Sequence, residues 1–128
     1  MKDLSFFITE KGTTFIGIDA CPTAKVLCSQ DGKEYPAVAV GSVDAAKEKH
    51  VPVVKVNGNT VTVVVGSVAH PMEDEHHITW VCLKTEKGFQ VKALKPHEKP
   101  EVEFAITSDD KVIEAYEFCN KHGVWSGK

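Results

Sequence analysis

Short runs of β-branched and aromatic residues, rather than any helical pattern, fill most of this chain beyond its first third. In residues 52–65 two such runs flank Asn57-Gly58, a dipeptide that strongly favours a tight hairpin. Residues 101–106 alternate in side-chain character with the period of two expected of a half-buried strand. Three more strand-like runs occupy 77–83, 89–94 and 111–118. The sequence therefore predicts an all-β antiparallel sandwich or barrel.

The N-terminal part of the chain has a different character from the rest. Strand-like pieces at 4–8 and 13–18 precede a loop-rich stretch around Pro22, Asp31-Gly32 and Pro36. We interpret residues 1–37 as a small N-terminal β extension, and residues 38–128 as the main domain.

Length and charge exclude several classes of function. The 128 residues suit one domain, or one domain with a small appendage, and the net charge of −3 gives no broad basic surface for nucleic acid. No apolar run approaches the ~20 residues of a membrane span, and the N-terminus lacks the apolar core of a secretory signal. We therefore expect a cytoplasmic protein that does not bind membranes. Its cysteines are then expected to stay reduced: Cys21, Cys28, Cys82 and Cys119.

The chemistry of the chain is concentrated in four histidines and a cysteine. His50, His70 and His76 lie in the middle of the sequence, and Cys119 and His122 form a Cys-x-x-His pair near its end. Together they exceed the four ligands of a structural zinc site. Imidazole suits several transition metals, and a thiolate donates electrons to a redox-active one. The set points to iron or copper with an open coordination position.

Each of these residues also has a purely structural interpretation. Cysteine is among the residue types most often buried, so Cys119 is about as often a packing residue as a ligand. His70 and His76 could be hydrogen-bonded structural histidines. In a regular strand His76 would share an apolar face with Ile78 and Trp80, where an unpaired imidazole is costly.

The remaining polar residues near these histidines are expected to be solvated unless a metal is present. The Lys47–Lys49 charge run would by default be an exposed loop. If His50 binds a metal, Lys49 would attract an anionic substrate and Glu48 would fill an empty coordination position. His77 and His97 are expected to lie at the surface.

Three segments in order, 44–52, 70–76 and 114–125, carry a resemblance to a known family. They read DAAKEKHVP, HPMEDEH and EAYEFCNKHGVW. With them, residues 43–128 resemble the superoxide reductases of the desulfoferrodoxin and neelaredoxin family.

This resemblance implies an immunoglobulin-like β-barrel that reduces superoxide to hydrogen peroxide at a mononuclear non-haem iron. One Fe(II)/Fe(III) ion per chain would have Cys119 as its axial ligand, with Glu48 and Lys49 bordering the open position. The equatorial ligands would be His50, His70, His76 and His122. Similar proteins imply a homodimer and a rubredoxin-like electron donor.

The N-terminal extension departs from the two-iron members of the family, in which four cysteines hold a second iron. The corresponding positions here are Thr9, Gly12, Cys28 and Ser29, of which only one is a cysteine. Cys21 falls elsewhere. The chain thus resembles a one-iron branch that keeps a desulforedoxin-like segment without its metal site. His77 and Lys121 also differ from the usual family pattern.

Two alternatives remain open at this point. A cupredoxin-like electron carrier would use two histidines, a cysteine and a weak axial methionine, but the only methionines are Met1 and Met72. A zinc-stabilised interaction module would be colourless, redox-silent and tetrahedrally coordinated.

Overall fold

The structure is a computed structural model that describes residues 3–18, 26–28, 31–41 and 45–128, with the backbone alone for 26–28. It divides into two compact units, Met1–Ala39 and Val40–Lys128. Within the described ranges, one four-residue helix accompanies antiparallel strands, so the all-β prediction is confirmed. In the same ranges, no helix has the length and apolar character needed to cross a membrane. Cys21 lies outside them.

In its described residues, the N-terminal unit contains two small antiparallel hairpins. Strand β1 (Leu4–Ile8) pairs with β2 (Thr14–Ile18), as the sequence predicts. Strand β3 (Val26–Cys28) pairs with β4 (Glu34–Pro36), inside the stretch predicted to be loop-rich. Strands of three residues are too short to show a reliable alternation in sequence.

The main unit contains one helical turn and two sheets. Its elements are α1 (Lys47–His50), β5 (Pro52–Asn57), β6 (Thr60–Val65), β7 (Ile78–Thr85), β8 (Gly88–Ala93), β9 (Glu101–Ala105), β10 (Val112–Cys119) and β11 (Gly123–Gly127). One sheet has the order β11-β10-β7-β8, and the other has the order β5-β6-β9. The six strand-like runs of this region became strands, whereas β11 and α1 were not predicted.

The two sheets of the main unit share one hydrophobic core. Val61, Val63 and Val65 of β6 are fully buried and belong to the same cluster as Val81 and Leu83 of β7. Each such side chain contributes about 1.5–3 kcal/mol when it is fully removed from water. The two sheets therefore pack face to face. The side chains that alternate along β6 in the sequence are the ones buried between the sheets.

The β5–β6 hairpin forms one residue later than the sequence indicates. Asn57 ends β5 and pairs with Thr60, so Gly58 and Asn59 form the two-residue loop. Gly58 has a φ of +60°, the left-handed conformation that such loops need at their first residue. Glycine decides the register here because it adopts this conformation without a Cβ clash.

An irregularity at the start of β7 overturns one prediction. In the pairing of β7 with β10, Trp80 pairs with Phe118 and Ile78 pairs with Cys119. A step of two residues on β7 thus matches a step of one residue on β10, which leaves Thr79 as an extra residue. Ile78 belongs to the core cluster, whereas Trp80 packs beside Phe118 with ring centroids 5.8 Å apart. The predicted common face of Ile78 and Trp80 is therefore wrong, because the bulge interrupts the alternation.

Candidate metal centre

The first histidine of the candidate site is presented by the helical turn α1. The Val51 N–H donates to the Lys47 carbonyl at 2.9 Å and closes this turn. His50 Nδ1 lies 2.7 Å from the Ala46 carbonyl oxygen, to which it donates a hydrogen bond. This segment was predicted by default to be an exposed loop. It is instead a helical turn that leaves His50 2% exposed.

The segment after β6 holds this helical turn in place. The Gly66 N–H donates to the Val51 carbonyl at 3.2 Å, and the Val68 N–H donates to the Glu48 carbonyl at 2.9 Å. The Ser67 hydroxyl donates to the same Glu48 oxygen at 3.3 Å. These bonds fix the backbone of Glu48, while its side chain remains exposed.

We expect Gly66→Ala to destabilise the metal-free protein by about 2 kcal/mol or more. Gly66 has a φ of +84°, and an added Cβ would lie 2.7 Å from the Lys49 oxygen and 2.8 Å from the Glu48 oxygen. The matched control is Gly58→Ala, where φ is also positive but nothing lies within 4 Å of the added Cβ. Denaturant unfolding measures both losses. Equal losses of stability in the two variants would show that the Lys49 and Glu48 carbonyls impose no additional strain at position 66.

His70 and His76 lie on the loop that connects β6 to β7. His70 Nδ1 donates to the Pro71 carbonyl at 2.7 Å. Glu73 and His76 exchange backbone hydrogen bonds of 2.9 and 3.2 Å, which make a compact turn. Met72 anchors this loop, because its sulfur accepts the Ile78 N–H at 3.4 Å and its side chain packs on the core.

Cys119 and His122 lie at the hairpin between β10 and β11. Cys119 pairs with Gly123, whose φ of +80° allows the chain to return after three intervening residues. Cys119 Sγ and His122 Nδ1 consequently lie 3.7 Å apart. The Trp125 indole N–H donates to the His122 carbonyl at 3.0 Å and holds this turn.

All five predicted donors converge at one place. The ring centroids of neighbouring imidazoles are 4.7 Å apart for His50–His70, 4.8 Å for His70–His76, 5.0 Å for His76–His122 and 4.8 Å for His122–His50. The neighbouring rings are inclined by 73–87° to one another. The potential ligand atoms of these histidines and of Cys119 all lie within 4.8 Å of one another. The arrangement is a closed ring of four imidazoles with a sulfur beside it.

The hydrogen bonds of the imidazoles show that this cluster fits a metal ion. His50 and His70 each donate through Nδ1 to a backbone carbonyl, so in the neutral ring each Nε2 presents a lone pair. These two Nε2 atoms are only 3.2 Å apart, and two facing lone pairs repel unless a cation lies between them. Two nitrogens bound at right angles, each about 2.1 Å from a transition metal, would lie about 3.0 Å apart.

His76 provides a second indication of the same kind. Its Nε2 is buried and has no hydrogen-bond partner in the described part of the chain. A buried imidazole nitrogen without a partner is destabilising unless an ion or another polar group completes the site. The donor set, four imidazoles and one thiol, is one that suits iron.

Burial favours the neutral, metal-binding form of three imidazoles of the site, those of His50, His70 and His76. Desolvation lowers the pKa of His50 and of His76, and it lowers the pKa of His70 to about 4. Burial raises the pKa of the Cys119 thiol, while backbone N–H groups of Lys121 and His122 act in the opposite direction. Neutral imidazoles are therefore available at neutral pH, and a bound cation would favour the thiolate.

Glu48 and Lys49 lie on the same helical turn as His50 but are not part of the donor cluster. Lys49 is half-buried and Glu48 is exposed. Their charges act in opposite directions on the pKa of the His50 imidazole, Glu48 raising it and Lys49 lowering it. Both side chains are thus within electrostatic reach of the site.

The two other histidines lie outside the donor cluster. His77 is half-buried, and its Nδ1 lies 3.1 Å from the Glu73 carbonyl oxygen. His97 is exposed, has a φ of +72° and pairs with Asp74 at 3.2 Å.

Sequence reasoning missed a buried carboxyl group beside the cluster. Glu117 is fully buried, and neither of its carboxyl oxygens has a hydrogen-bond partner among the described residues. Burial raises its pKa to about 9. Glu117 lies two residues before Cys119 on the same strand. This spacing places both side chains on the same face, and it was the sequence signal that could have identified Glu117.

Residues 42–128 match the family model described as Desulfoferrodoxin. The chain belongs to the desulfoferrodoxin family. Among its relatives, the desulfoferrodoxin of Nitratidesulfovibrio vulgaris is 46% identical over 97 residues, which cover 76% of this chain and 75% of that one. The desulfoferrodoxin homolog of Archaeoglobus fulgidus is 45% identical over 94 residues, covering 73% and 74%.

A solved structure extends the likeness to almost the whole chain. The crystal structure of the superoxide reductase from Treponema pallidum is similar with a TM-score of 0.86 and 58% identity. The match covers 99% of this chain and 100% of that one. Both the N-terminal and the main unit therefore have counterparts in that structure.

The cupredoxin alternative does not fit the geometry of this desulfoferrodoxin-family site. It requires an axial methionine, but the Met72 sulfur accepts the Ile78 N–H and the side chain packs on the core. Met1 lies outside the described residues. A blue-copper site would also leave two of the four converging histidines without a role.

Proposed function

We propose that this chain is a superoxide reductase, an oxidoreductase that converts superoxide to hydrogen peroxide at a mononuclear non-haem iron. The observation that carries the proposal is the convergence of five donor atoms. They belong to His50, His70, His76, Cys119 and His122. The 58% identical protein from Treponema pallidum is named a superoxide reductase, which supports the same activity here. When bound, ferrous iron supplies one electron to superoxide, two protons complete hydrogen peroxide, and an external donor restores the reduced state.

The charges of the ligands favour an anionic substrate. Four neutral imidazoles and one thiolate together carry a single negative charge, so a divalent ion leaves the site positive. The whole chain, in contrast, has a net charge of −3. Attraction of superoxide must therefore come from local positive potential, and Lys49 is the half-buried lysine directly before His50.

We expect Lys49→Ala to slow the reaction with superoxide several-fold and to weaken its dependence on ionic strength. The matched control is Lys47→Ala, which removes the same charge from an exposed position on the same helical turn. Stopped-flow or pulse-radiolysis rates at several salt concentrations measure both effects. A Lys49→Ala rate and salt dependence equal to those of the wild type would contradict the assignment.

The exposed Glu48 carboxylate is proposed to occupy the open position of the oxidised site. Its backbone is fixed by Val68 and Ser67, whereas its side chain is free to reorient. Carboxylates are suitable ligands for ferric iron. The visible spectrum of oxidised Glu48→Ala tests this role, and a spectrum identical to that of the wild type would exclude it.

We further propose one Fe(II)/Fe(III) ion per chain. The N-terminal segment, 1–37, is proposed to be desulforedoxin-like but without a metal site, because its two cysteines, Cys21 and Cys28, cannot supply four thiolates. The iron domain is proposed to span 38–128. Metal analysis of the purified full chain tests the stoichiometry, and two irons per chain would contradict it.

The remaining expectations concern the fold type and the partners. The main unit is proposed to be immunoglobulin-like, because its sheets of four and three strands resemble that type of sandwich. A rubredoxin-like donor, a homodimer and a cytoplasmic location are proposed from the family resemblance. Sedimentation analysis would contradict the homodimer if the chain were monomeric, and failure of reduced rubredoxin to re-reduce the oxidised protein would exclude that donor.

A further inference from the structure

We propose that Asn120 is a positioning residue that holds His76 in the ring of metal ligands. This inference rests on the proposed function, because it concerns the same iron site. Asn120 lies in the turn between Cys119 and His122, and it bridges that turn to the loop that carries His76. It thereby connects two parts of the site that are distant in sequence.

The side-chain amide of Asn120 binds the residues on both sides of His76. Its Oδ1 accepts the His77 N–H at 2.9 Å, and its Nδ2 donates to the Glu75 carbonyl at 2.9 Å. The Asn120 backbone N–H also donates to the His77 carbonyl at 3.2 Å. The two side-chain bonds therefore hold the peptide units on either side of His76, and the backbone bond holds the next peptide unit.

His76 needs this support more than two of its neighbours in the site do. His50 and His70 are each oriented by a ring-to-carbonyl hydrogen bond of 2.7 Å. In the described part of the chain, no such bond orients the His76 ring, and its buried Nε2 has no hydrogen-bond partner. The position of this imidazole must therefore come largely from the backbone of its loop, which Asn120 holds.

Asparagine suits this place because the bridge needs one acceptor and one donor on the same short side chain. Aspartate keeps an acceptor for the His77 N–H but has no donor for the Glu75 carbonyl when ionised. Alanine lacks both groups. Loss of a residue that orients a metal ligand commonly weakens metal binding by about 10–100-fold.

The test measures iron binding by the full chain rather than its activity. Wild type, Asn120→Ala and Asn120→Asp compete with a chromophoric chelator for ferrous iron under anaerobic conditions, and the visible spectrum is recorded after oxidation. Thr79→Val is the matched control, because the Thr79 hydroxyl donates to the Phe118 carbonyl at 3.3 Å without binding the His76 loop. Thermal unfolding of the metal-free proteins is measured in parallel.

We expect Asn120→Ala to bind iron about 10–100-fold more weakly and to show a shifted visible band. Asn120→Asp is expected to fall between Asn120→Ala and the wild type, and it serves as the test variant if the alanine protein does not fold. Thr79→Val is expected to keep the wild-type affinity and spectrum even if its unfolding temperature falls.

Two results would overturn the positioning role. Asn120 variants with wild-type affinity and an unchanged spectrum would show that the bridge does not position His76. Equal losses of affinity in the Thr79→Val control would show that general destabilisation explains the effect. If the wild type itself bound no iron, the proposed function would fail, and that result is distinguishable from failure of the Asn120 assignment.

Discussion

Cys119→Ser is expected to leave a protein that binds iron through its histidines but lacks thiolate-to-iron absorption and most of its superoxide reductase activity. The Cys119 sulfur is the one sulfur in the donor cluster of the described residues. A serine hydroxyl remains protonated at neutral pH and cannot supply the same electron donation. Changes to residues that merely orient ligands reduce function about 10–100-fold, so loss of a direct ligand should reduce the rate by more than about 100-fold.

The control for this experiment is the other cysteine of the main unit. Cys82 is fully buried in β7, and burial raises the pKa of its thiol to about 12. Cys82→Ser is therefore expected to lower stability but to keep the absorption band and the rate of the iron-loaded protein. Retention of the band in Cys119→Ser, or its loss in Cys82→Ser, would contradict the assignment of the thiolate ligand.

Glu117→Gln is expected to stabilise the metal-free protein on the order of 3 kcal/mol at pH 7, as an upper estimate. The wild-type carboxyl is fully buried without partners, and its pKa is raised to about 9 from an ordinary value of 4.5. Between these two values the folded protein keeps a proton that the unfolded chain has lost. Glutamine has nearly the same shape and needs no such proton.

The sign of this effect gives a pH profile that can be measured. Below pH 4.5 both states are protonated at Glu117, so the group has no effect on stability. As pH rises from about 4.5 to about 9 the unfolded chain binds fewer protons than the folded one, and wild-type stability falls. Denaturant unfolding across this range should show a smaller decline for Glu117→Gln. The exposed Glu101→Gln serves as control, and parallel profiles for all three proteins would contradict the prediction.

Much of the fold could be predicted from local sequence patterns, because apolar and polar residues alternate with a period of two in a strand that buries one face. The strands β5 to β10 each carry such a pattern or a β-branched run. The helical turn at 47–50 and the short strand β11 could not be predicted in this way. The helical turn has only four residues, and β11 begins and ends in glycine without alternating side chains. Bonds to Gly66, Val68 and β10 keep these segments in place.

The ligand types of the candidate site were visible in the sequence, but their support was not. Histidine and cysteine are chemically distinctive, so the five donors could be identified before their convergence was known. The sequence does not indicate a role for Asn120, because its partners Glu75 and His77 lie 45 and 43 residues away. The bulge at Thr79 could not be predicted either, because one extra residue in a strand does not change the composition of that segment in a recognisable way.

The superoxide reductase activity is tested by exposing the anaerobically iron-loaded, reduced wild-type chain to a pulse of superoxide. Visible absorption and hydrogen peroxide are followed together. We expect a thiolate-to-ferric absorption band that grows as superoxide decays, a molecule of hydrogen peroxide for each superoxide consumed, and bleaching of the band when reductant is added. A protein that stays colourless while superoxide decays at its uncatalysed rate would contradict this activity.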